Sequence, residues 1–123
     1  DRVKAGQIVA QLDPTRFKAS LEQAQANLKN AEASAARARV NHKQAKLDYD
    51  RAQQLNTKGV IGQAEVDLLR SKYELGEVDL ASSEAQVAQA RAQVGMARVD
   101  LERTTIRSPI DGVVLQRAVD TGQ

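Results

Sequence analysis

The sequence predicts a mainly α-helical chain in which two long helices form an antiparallel coiled-coil hairpin between two short β segments. Apolar or small residues recur in steps of four and three over two long stretches, and a six-residue break at 57–62 separates them. Steps that average 3.5 residues are the mark of a coiled-coil seam. Near both ends of the chain, short strand-like segments replace this spacing.

The two stretches mirror each other across Gly59, because positions whose numbers add to 118 pair every seam residue of one with a seam residue of the other. Most layers match a large residue with a small one, as Leu28 with Ala90 does, which fills a narrow interface without voids. His42 falls opposite Gly76. The predicted seam consists of Phe17, Leu21, Ala24, Leu28, Ala31, Ala35, Ala38, His42, Ala45, Tyr49 and Ala52, and then Val66, Leu69, Tyr73, Gly76, Leu80, Ser83, Val87, Ala90, Val94, Ala97 and Leu101.

Composition favours an elongated molecule. The 123 residues include one Phe, two Tyr and no Trp, too little bulk for a large compact core, and a helix of about 43 residues is roughly 65 Å long. The formal net charge is only +2, and basic and acidic residues are interspersed, which indicates a solvated surface and argues against a nucleic-acid partner. No cysteine is present, so neither disulfides nor thiolate metal ligands are expected.

Taken in order, residues 1–13 predict a strand, because Ile8, Ala10 and Leu12 alternate with polar residues. Asp13-Pro14 is a typical helix start, and the first helix is predicted over 14–56. The tip follows at 57–62, and a second helix is predicted over 63–104.

Two glycines lie within the second helix, and Gly62 is its predicted N-cap. Gly76 has a packing reason, since it leaves room for His42. For Gly95 the sequence offers no reason.

The last segment, 105–123, predicts two further short strands, at 105–107 and 112–115, bent apart by Pro109 and Gly112. A V-x-x-G-Q motif occurs at 3–7 and again at 119–123. The predicted domains are therefore a partial β half at 1–13, the hairpin at 14–104 and a second partial half at 105–123. The two β halves should meet, because the hairpin returns its ends to one place.

These motifs resemble the periplasmic adaptor (membrane fusion) proteins of bacterial tripartite efflux and secretion pumps. VKAGQIVAQLD and TTIRSPIDGVVLQRAVDTGQ look like the two halves of a biotinyl/lipoyl-type domain. In carrier enzymes the modified Lys lies in the turn that joins these halves. The hairpin occupies that turn here, so the resemblance implies no lipoyl, biotin or other cofactor. The S-P-I-D-G-V-V run at 108–114 and the long hairpin look most like adaptors of macrolide-type ABC exporters, closely followed by adaptors of resistance-nodulation-division pumps.

The resemblance implies a non-catalytic adaptor that bridges an inner-membrane transporter, of ABC or resistance-nodulation-division type, to a TolC-type outer-membrane channel. It further implies a homo-oligomer, a hexamer in this family, in the periplasm. Anchoring to the inner membrane would come from segments missing from this chain.

The tip resembles the channel-docking motif of these adaptors at Arg51, Leu55 and Asp67. It departs from the motif at three positions: Ala52, where the family has Leu, Gly62, where it has Ser, and Val66, where it has Leu. The predicted channel-binding residues are Arg51, Leu55, Lys58, Gly62, Gln63, Val66 and Asp67.

A second candidate surface lies opposite the seam, where a lone hairpin should be polar. Small or apolar residues recur there every seven positions in both helices, and Val and Leu are poor choices for a solvated face. We predict lateral packing between neighbouring copies through Val40, Leu47, Val78 and Val99.

His42, the only histidine, is predicted to be a seam residue and not a metal ligand, because its neighbours at the seam, Ala38, Ala45 and Gly76, offer no ligand atoms. No catalytic constellation is recognisable, so no enzymatic activity is expected. Two other functions remain open: a biotinyl/lipoyl-type carrier domain, and a coiled-coil interaction arm such as those that grip nucleic acid. The acidic residues near the tip argue against a nucleic-acid arm.

Overall fold

The computed structural model describes residues 1–122. Its elements in chain order are β1 (Arg2–Val3), β2 (Ile8–Gln11), α1 (Thr15–Thr57), α2 (Gln63–Arg103), β3 (Thr105–Arg107) and β4 (Gly112–Val113). The helices begin and end within one residue of the bounds 14–56 and 63–104 that the periodicity indicates. The chain forms the predicted class of fold, a long two-helix hairpin set between short strands.

The coiled-coil seam is confirmed. All of the predicted seam residues in both helices are buried or half-buried, and the remaining positions of the helices are exposed except near the turn. The most deeply buried members are small or β-branched: Ala52 is 2% exposed and Val66 is 5% exposed. Because small residues occupy so many layers, the two helices can approach closely with little apolar volume between them.

Two ion pairs join the helices along one side of the seam. Arg39 Nη2 lies 3.1 Å from Glu84 Oε1, and Arg91 Nη2 lies 3.9 Å from Glu32 Oε1. The residue numbers of each pair add to 123, and the two pairs are seven residues apart on each helix. Both pairs therefore belong to the same row of residues beside the seam. All four side chains are at least half exposed, and such pairs contribute little stability each.

Asp13 caps the start of α1. Its Oδ1 accepts hydrogen bonds from the Thr15 backbone N–H at 3.0 Å and from the Thr15 hydroxyl at 2.6 Å. The Lys18 N–H then donates to the Pro14 carbonyl at 2.8 Å, which starts the helical ladder. The hydroxyl bond and then the amide bond of Thr15 lower the pKa of the exposed Asp13 carboxyl below its ordinary value.

The two β halves meet, as predicted. β2 pairs antiparallel with β3, with Gln11 opposite Thr105 and a bulge between Ile8 and Ala10. β1, which the alternation pattern did not predict, pairs with β4. The predicted strand at 112–115 ends at Val113, although the Val114 N–H still donates to the Asp1 carbonyl at 2.8 Å.

Asp111 ties the first V-x-x-G-Q motif to the second half. Its Oδ1 accepts a hydrogen bond of 2.7 Å from the Ala5 N–H, and the Gly6 N–H donates to the Ser108 carbonyl at 2.7 Å. Gly6 adopts φ +80°, a conformation that suits glycine. In the second motif Gly122 adopts φ +100°, and Gln123 lies outside the described residues.

The chain divides into two compact units. One comprises Asp1–Glu22 with the residues from Gly95 onward, and the other is Gln23–Val94. Both boundaries fall inside helices. The division into domains at 1–13, 14–104 and 105–123 therefore remains a prediction.

Candidate functional site

The turn between the helices is fixed by backbone geometry at the end of α1. Gly59 adopts φ +73°, its N–H donates to the Asn56 carbonyl at 2.9 Å, and the Val60 N–H donates to the Leu55 carbonyl at 2.9 Å. This pair of bonds is the Schellman motif, which ends a helix at a left-handed residue and satisfies its last carbonyls. Any residue with a β-carbon would be strained at Gly59.

Side-chain bonds complete the turn. Asn56 Nδ2 donates to the Ile61 carbonyl at 3.1 Å, and the Thr57 hydroxyl donates to the Gln53 carbonyl at 2.9 Å. The Gly62 carbonyl receives the Val66 N–H at 3.5 Å, as expected of the residue before the first turn of α2. The end of α1 is therefore capped by backbone and side-chain bonds, and Gly62 directly precedes the first turn of α2.

A cleft of about 230 Å³ lies on one side of the tip. Arg51 and Asp48 stand at its rim, with the Arg51 Nη1 atom 3.7 Å from Asp48 Oδ1. The remaining lining is mainly apolar: Ala52, Leu55, Ile61 and Leu69, with Glu65. We call this the Arg51 cleft. The cleft can accommodate an apolar side chain of another protein, with a polar or charged group of that protein close to Arg51 and Asp48.

A second, more polar cleft of about 310 Å³ is lined by Tyr49, Gln53, Asn56, Thr57, Gln63, Val66, Asp67 and Arg70. Gln63 Nε2 donates to Asp67 Oδ1 at 2.9 Å, so these two side chains are already oriented. We call this the Asp67 cleft. It offers carboxylate, amide, hydroxyl and guanidinium groups, which can exchange hydrogen bonds with a polar partner.

The two clefts lie on different sides of the hairpin. Arg51 lines one and Gln53 the other, and residues two apart point about 200° apart around a helix. The structure therefore divides five of the seven predicted channel-binding residues between the two clefts. Arg51 and Leu55 line the first cleft, while Gln63, Val66 and Asp67 line the second.

Three of the seven predicted residues, Val66, Lys58 and Gly62, differ from the others in burial or in their distance from the clefts. Val66 is only 5% exposed, so its side chain holds α2 against α1. Lys58 and Gly62 are exposed and line neither cleft. The sequence pattern did not single out Asp48, Ile61 or Glu65, which complete the Arg51 cleft, since residues from both helices and the turn meet there only after folding.

The four residues predicted for self-association are exposed on the outer faces of the helices. Val40 and Val78 are 67% and 65% exposed, and Leu47 and Val99 are also exposed. The structure also exposes Leu68 and Leu75 on the outer side of α2, which the sevenfold series through Val78 did not include. Their spacing of seven residues is itself a signal that could have identified them.

His42 belongs to an aromatic stack inside the seam. Its ring lies 5.1 Å from that of Tyr73, centroid to centroid, and the Tyr73 ring lies 5.9 Å from that of Tyr49, with both pairs nearly parallel. Among the described residues, the buried Nε2 atom of His42 has no hydrogen-bond partner. His42 thus acts through packing.

Within residues 1–122, no cluster of three or more His, Asp or Glu side chains could hold a metal ion. Neither helix in the same range is long and apolar enough to cross a membrane.

The whole chain, residues 1–123, matches the family described as RND MFP, barrel-sandwich hybrid domain. It belongs to this membrane fusion protein family. The strand pairs described above are part of its barrel-sandwich hybrid, and the hairpin departs from and returns to the β2–β3 pair.

Curated relatives of this membrane fusion protein include the multidrug resistance protein MdtA of several enterobacteria. Over 121 residues, 98% of this chain, identity is 36% to the protein of Cronobacter turicensis, 36% to that of Klebsiella pneumoniae and 34% to that of Escherichia coli. The chain spans about a quarter of the length of these relatives, since it covers 26% of each.

Among solved structures, MacA from Actinobacillus actinomycetemcomitans matches all of this chain with a TM-score of 0.93, at 24% identity and over 38% of its own length. A MacA–MexA chimera that contains the Pseudomonas aeruginosa MexA α-hairpin domain also matches the whole chain, with a TM-score of 0.58 and 28% identity, over 33% of its length. The MacA match establishes the hairpin-bearing fold of this family member.

Proposed function

We propose that this chain is the hairpin-bearing part of a periplasmic, non-catalytic adaptor that joins an inner-membrane transporter to a TolC-type outer-membrane channel in a drug efflux pump. The observation that carries the proposal is the tip, where the Schellman turn at the end of α1 lies between the Arg51 cleft and the Asp67 cleft. Membership of the membrane fusion protein family and relatives named for multidrug resistance support it.

The tip is suited to docking on another protein, not to chemistry. A fixed turn loses little conformational freedom on binding, which favours even a small interface. Few contacts are available to a single turn, so each docking event would be weak. Several copies acting together would strengthen it, because linked copies convert later contacts into intramolecular ones. The proposed assembly is therefore a homo-oligomer, a hexamer by the family resemblance, held laterally through Val40, Leu47, Val78 and Val99.

For the inner-membrane partner, the name of the family favours a resistance-nodulation-division transporter over an ABC exporter. Anchoring to the inner membrane would come from parts of the protein outside this chain.

The test is efflux by the full-length protein in a cell that lacks its own adaptor. Arg51→Asp should reduce drug resistance without changing helicity, because it reverses the charge at the rim of the Arg51 cleft. Arg98→Asp is the matched control, since it makes the same charge change at an exposed position away from the turn. Val40→Lys combined with Leu47→Lys should weaken self-association first. If all of these variants support efflux as well as the parent, the hairpin is a spacer and the docking role is wrong.

A further inference from the structure

The residues on one flank of the seam are matched in charge between the two helices. Arg39 and Glu84 each directly follow a seam residue in the sequence, and their side chains lie 3.1 Å apart. Glu32 and Arg91 also directly follow seam residues, and they lie 3.9 Å apart. Equivalent flanking positions of the two helices thus lie side by side in this hairpin, and on this flank they carry opposite charges.

The other flank carries two like charges at the Arg51 cleft. Asp48 and Glu65 each directly precede a seam residue, so they occupy equivalent positions of the two helices, and both line this cleft. Two carboxylates therefore face one cleft, whereas the first flank pairs each carboxylate with a cation. Facing like charges are unfavourable, and proteins break such local rules chiefly at functional sites.

Arg51 does not neutralise both carboxylates. Its Nη1 atom lies 3.7 Å from Asp48 Oδ1, which is longer than a hydrogen bond, and its side chain is 68% exposed. Within residues 1–122, Glu65 makes no ion pair within 4.0 Å. With one cation and two carboxylates, the lining of the cleft has a formal net charge of −1. The cleft therefore favours a cation from another molecule.

Contacts within each helix explain only part of this arrangement. Glu65 lies in the first turn of α2, where the helix dipole favours a negative charge. Asp48 lies more than two turns before the end of α1, too far to interact with a helix end, and it accepts a hydrogen bond of 2.9 Å from Gln44 Nε2. Neither contact places a cation between the two carboxylates.

The other groups of the cleft define the remainder of a matching surface. Leu55, Ile61 and Leu69 are half-buried, so each leaves part of an apolar side chain open to a partner. The guanidinium of Arg51 can donate to carbonyl oxygens. The last turn of an α-helix has free carbonyls and favours Lys or Arg side chains. One helix end can therefore supply acceptors for Arg51 and a cation for the two carboxylates.

We propose that the Arg51 cleft binds the C-terminal end of a helix of the partner channel, with a Lys or Arg of that helix between Asp48 and Glu65. An apolar side chain of the same helix covers the cleft floor, and its last carbonyls accept from Arg51. The proposal rests on the channel docking in the proposed function and adds the chemistry of the partner. The two carboxylates then determine specificity, because a helix end with an acidic residue at this place would be repelled.

Charge reversal at Glu65 in the full-length protein tests the predicted cation. The probe is the detergent-purified outer-membrane channel of the cells used for the efflux test. Glu65→Lys should weaken binding severalfold, and binding of the parent should weaken with added salt. Glu77→Lys is the matched control, because Glu77 is exposed on the same helix and lines neither cleft of the tip. Equal affinities of the Glu65→Lys and Glu77→Lys variants would overturn the proposal.

Charge exchange separates recognition from helix stability, since Glu65→Lys also removes a favourable charge from the first turn of α2. Each Lys and Arg in the last turn of a periplasmic channel helix is changed to Glu, one at a time. One such channel variant should bind the parent weakly and restore binding of Glu65→Lys, which a purely structural role cannot produce. Failure of every channel variant to restore binding would refute the proposal.

Arg51→Asp distinguishes this proposal from docking itself, because it places a carboxylate opposite the helix carbonyls and should also weaken binding. If Arg51→Asp loses binding while Glu65→Lys binds like the parent, docking at the tip stands and the predicted cation is wrong. If the parent itself does not bind the channel, the proposed function is wrong.

Discussion

The Cα atom of His42 lies 3.3 Å from the point where a β-carbon at Gly76 would stand. This distance is closer than ordinary van der Waals contact, and the near atom belongs to backbone, which cannot move aside as a flexible side chain can. The same layer contains the ring of His42, stacked on Tyr73. Gly76 is thus required by close packing of two helices, at a position where glycine weakens the helix itself.

Substitutions at the two glycines of α2 test the contact between position 76 and His42 through the free energy of unfolding. Gly95→Ala should raise the free energy of unfolding by roughly 1 kcal/mol, because nothing lies within 4 Å of the added β-carbon and only helix propensity changes. Gly76→Ala should gain less or lose stability, since the added carbon presses on His42. Gly76→Leu should cost about 1–3 kcal/mol through overpacking. Urea denaturation measures all three, and equal gains for the two alanine variants, or a Gly76→Leu variant more stable than the parent, would contradict the contact.

A disulfide tests the register elsewhere in the seam. Leu28 and Ala90 share a layer, and both are at least half-buried, so Leu28→Cys with Ala90→Cys should cross-link within the chain on oxidation. Leu28→Cys with Ser83→Cys is the control, because position 83 is one heptad away, roughly 10 Å along the axis. Non-reducing gel mobility and mass spectrometry report the bond. Equal bonding in the control would rule out the register.

Stability should depend on Asp13 in a defined pH range. The pKa of the Asp13 carboxyl is lowered by its bonds from Thr15, so the folded state favours the charged form. The contribution is then fully present above the unfolded-state pKa of about 3.9 and is lost as the pH falls through the lower folded-state pKa. Asp13→Ala should therefore be less stable than the parent at neutral pH, and the difference should shrink below pH of about 4. A difference that stays constant under acid conditions would show that the carboxylate does not cap α1.

The ion pair between Arg39 and Glu84 should be measurable but small. Both side chains are more than half exposed, so a double-mutant cycle to alanine should give a coupling energy of about 0.2–1 kcal/mol that falls with added salt. The matched control is the cycle of Arg37→Ala with Glu84→Ala, since Arg37 makes no such pair. A coupling energy for Arg39 no larger than for Arg37 would mean that the 3.1 Å pair is not formed in solution.

The seam could be predicted from the sequence because its signal is repeated in every heptad. Each layer supplies the same evidence, and the mirror across Gly59 gives the partner of each residue as well as its burial. The mirror does not predict the stack of His42 on Tyr73, because it places Tyr73 opposite Ala45, whereas the large rings extend diagonally into the next layer.

The strands were less predictable. Alternation at Ile8, Ala10 and Leu12 gave the position of β2, but all four residues of β2 are exposed, and the bulge between Ile8 and Ala10 interrupts the alternation. Alternation indicates which side of a strand could be buried and carries no information about what covers it. The sequence does not predict β1, because two residues are too few to show any period.

The sequence also predicts the residues of the candidate site at the tip better than their arrangement in space. Arg51, Leu55 and Asp67 were singled out by resemblance, yet the structure assigns the first two to one cleft and Asp67 to the other. A linear motif gives the order of residues along the chain but not the side of the helix on which each one stands.

The pairing of Gln11 with Thr105 restricts how this hairpin can change length in evolution. That pairing holds the start of α1 and the end of α2 together, so residues removed from one helix alone would shift every later layer against its partner. His42 would then no longer face Gly76, and large residues would meet large ones. Insertions or deletions of whole heptads, made in both helices at the same level, keep the layers matched. A longer or shorter hairpin of this design therefore requires matched changes in both helices.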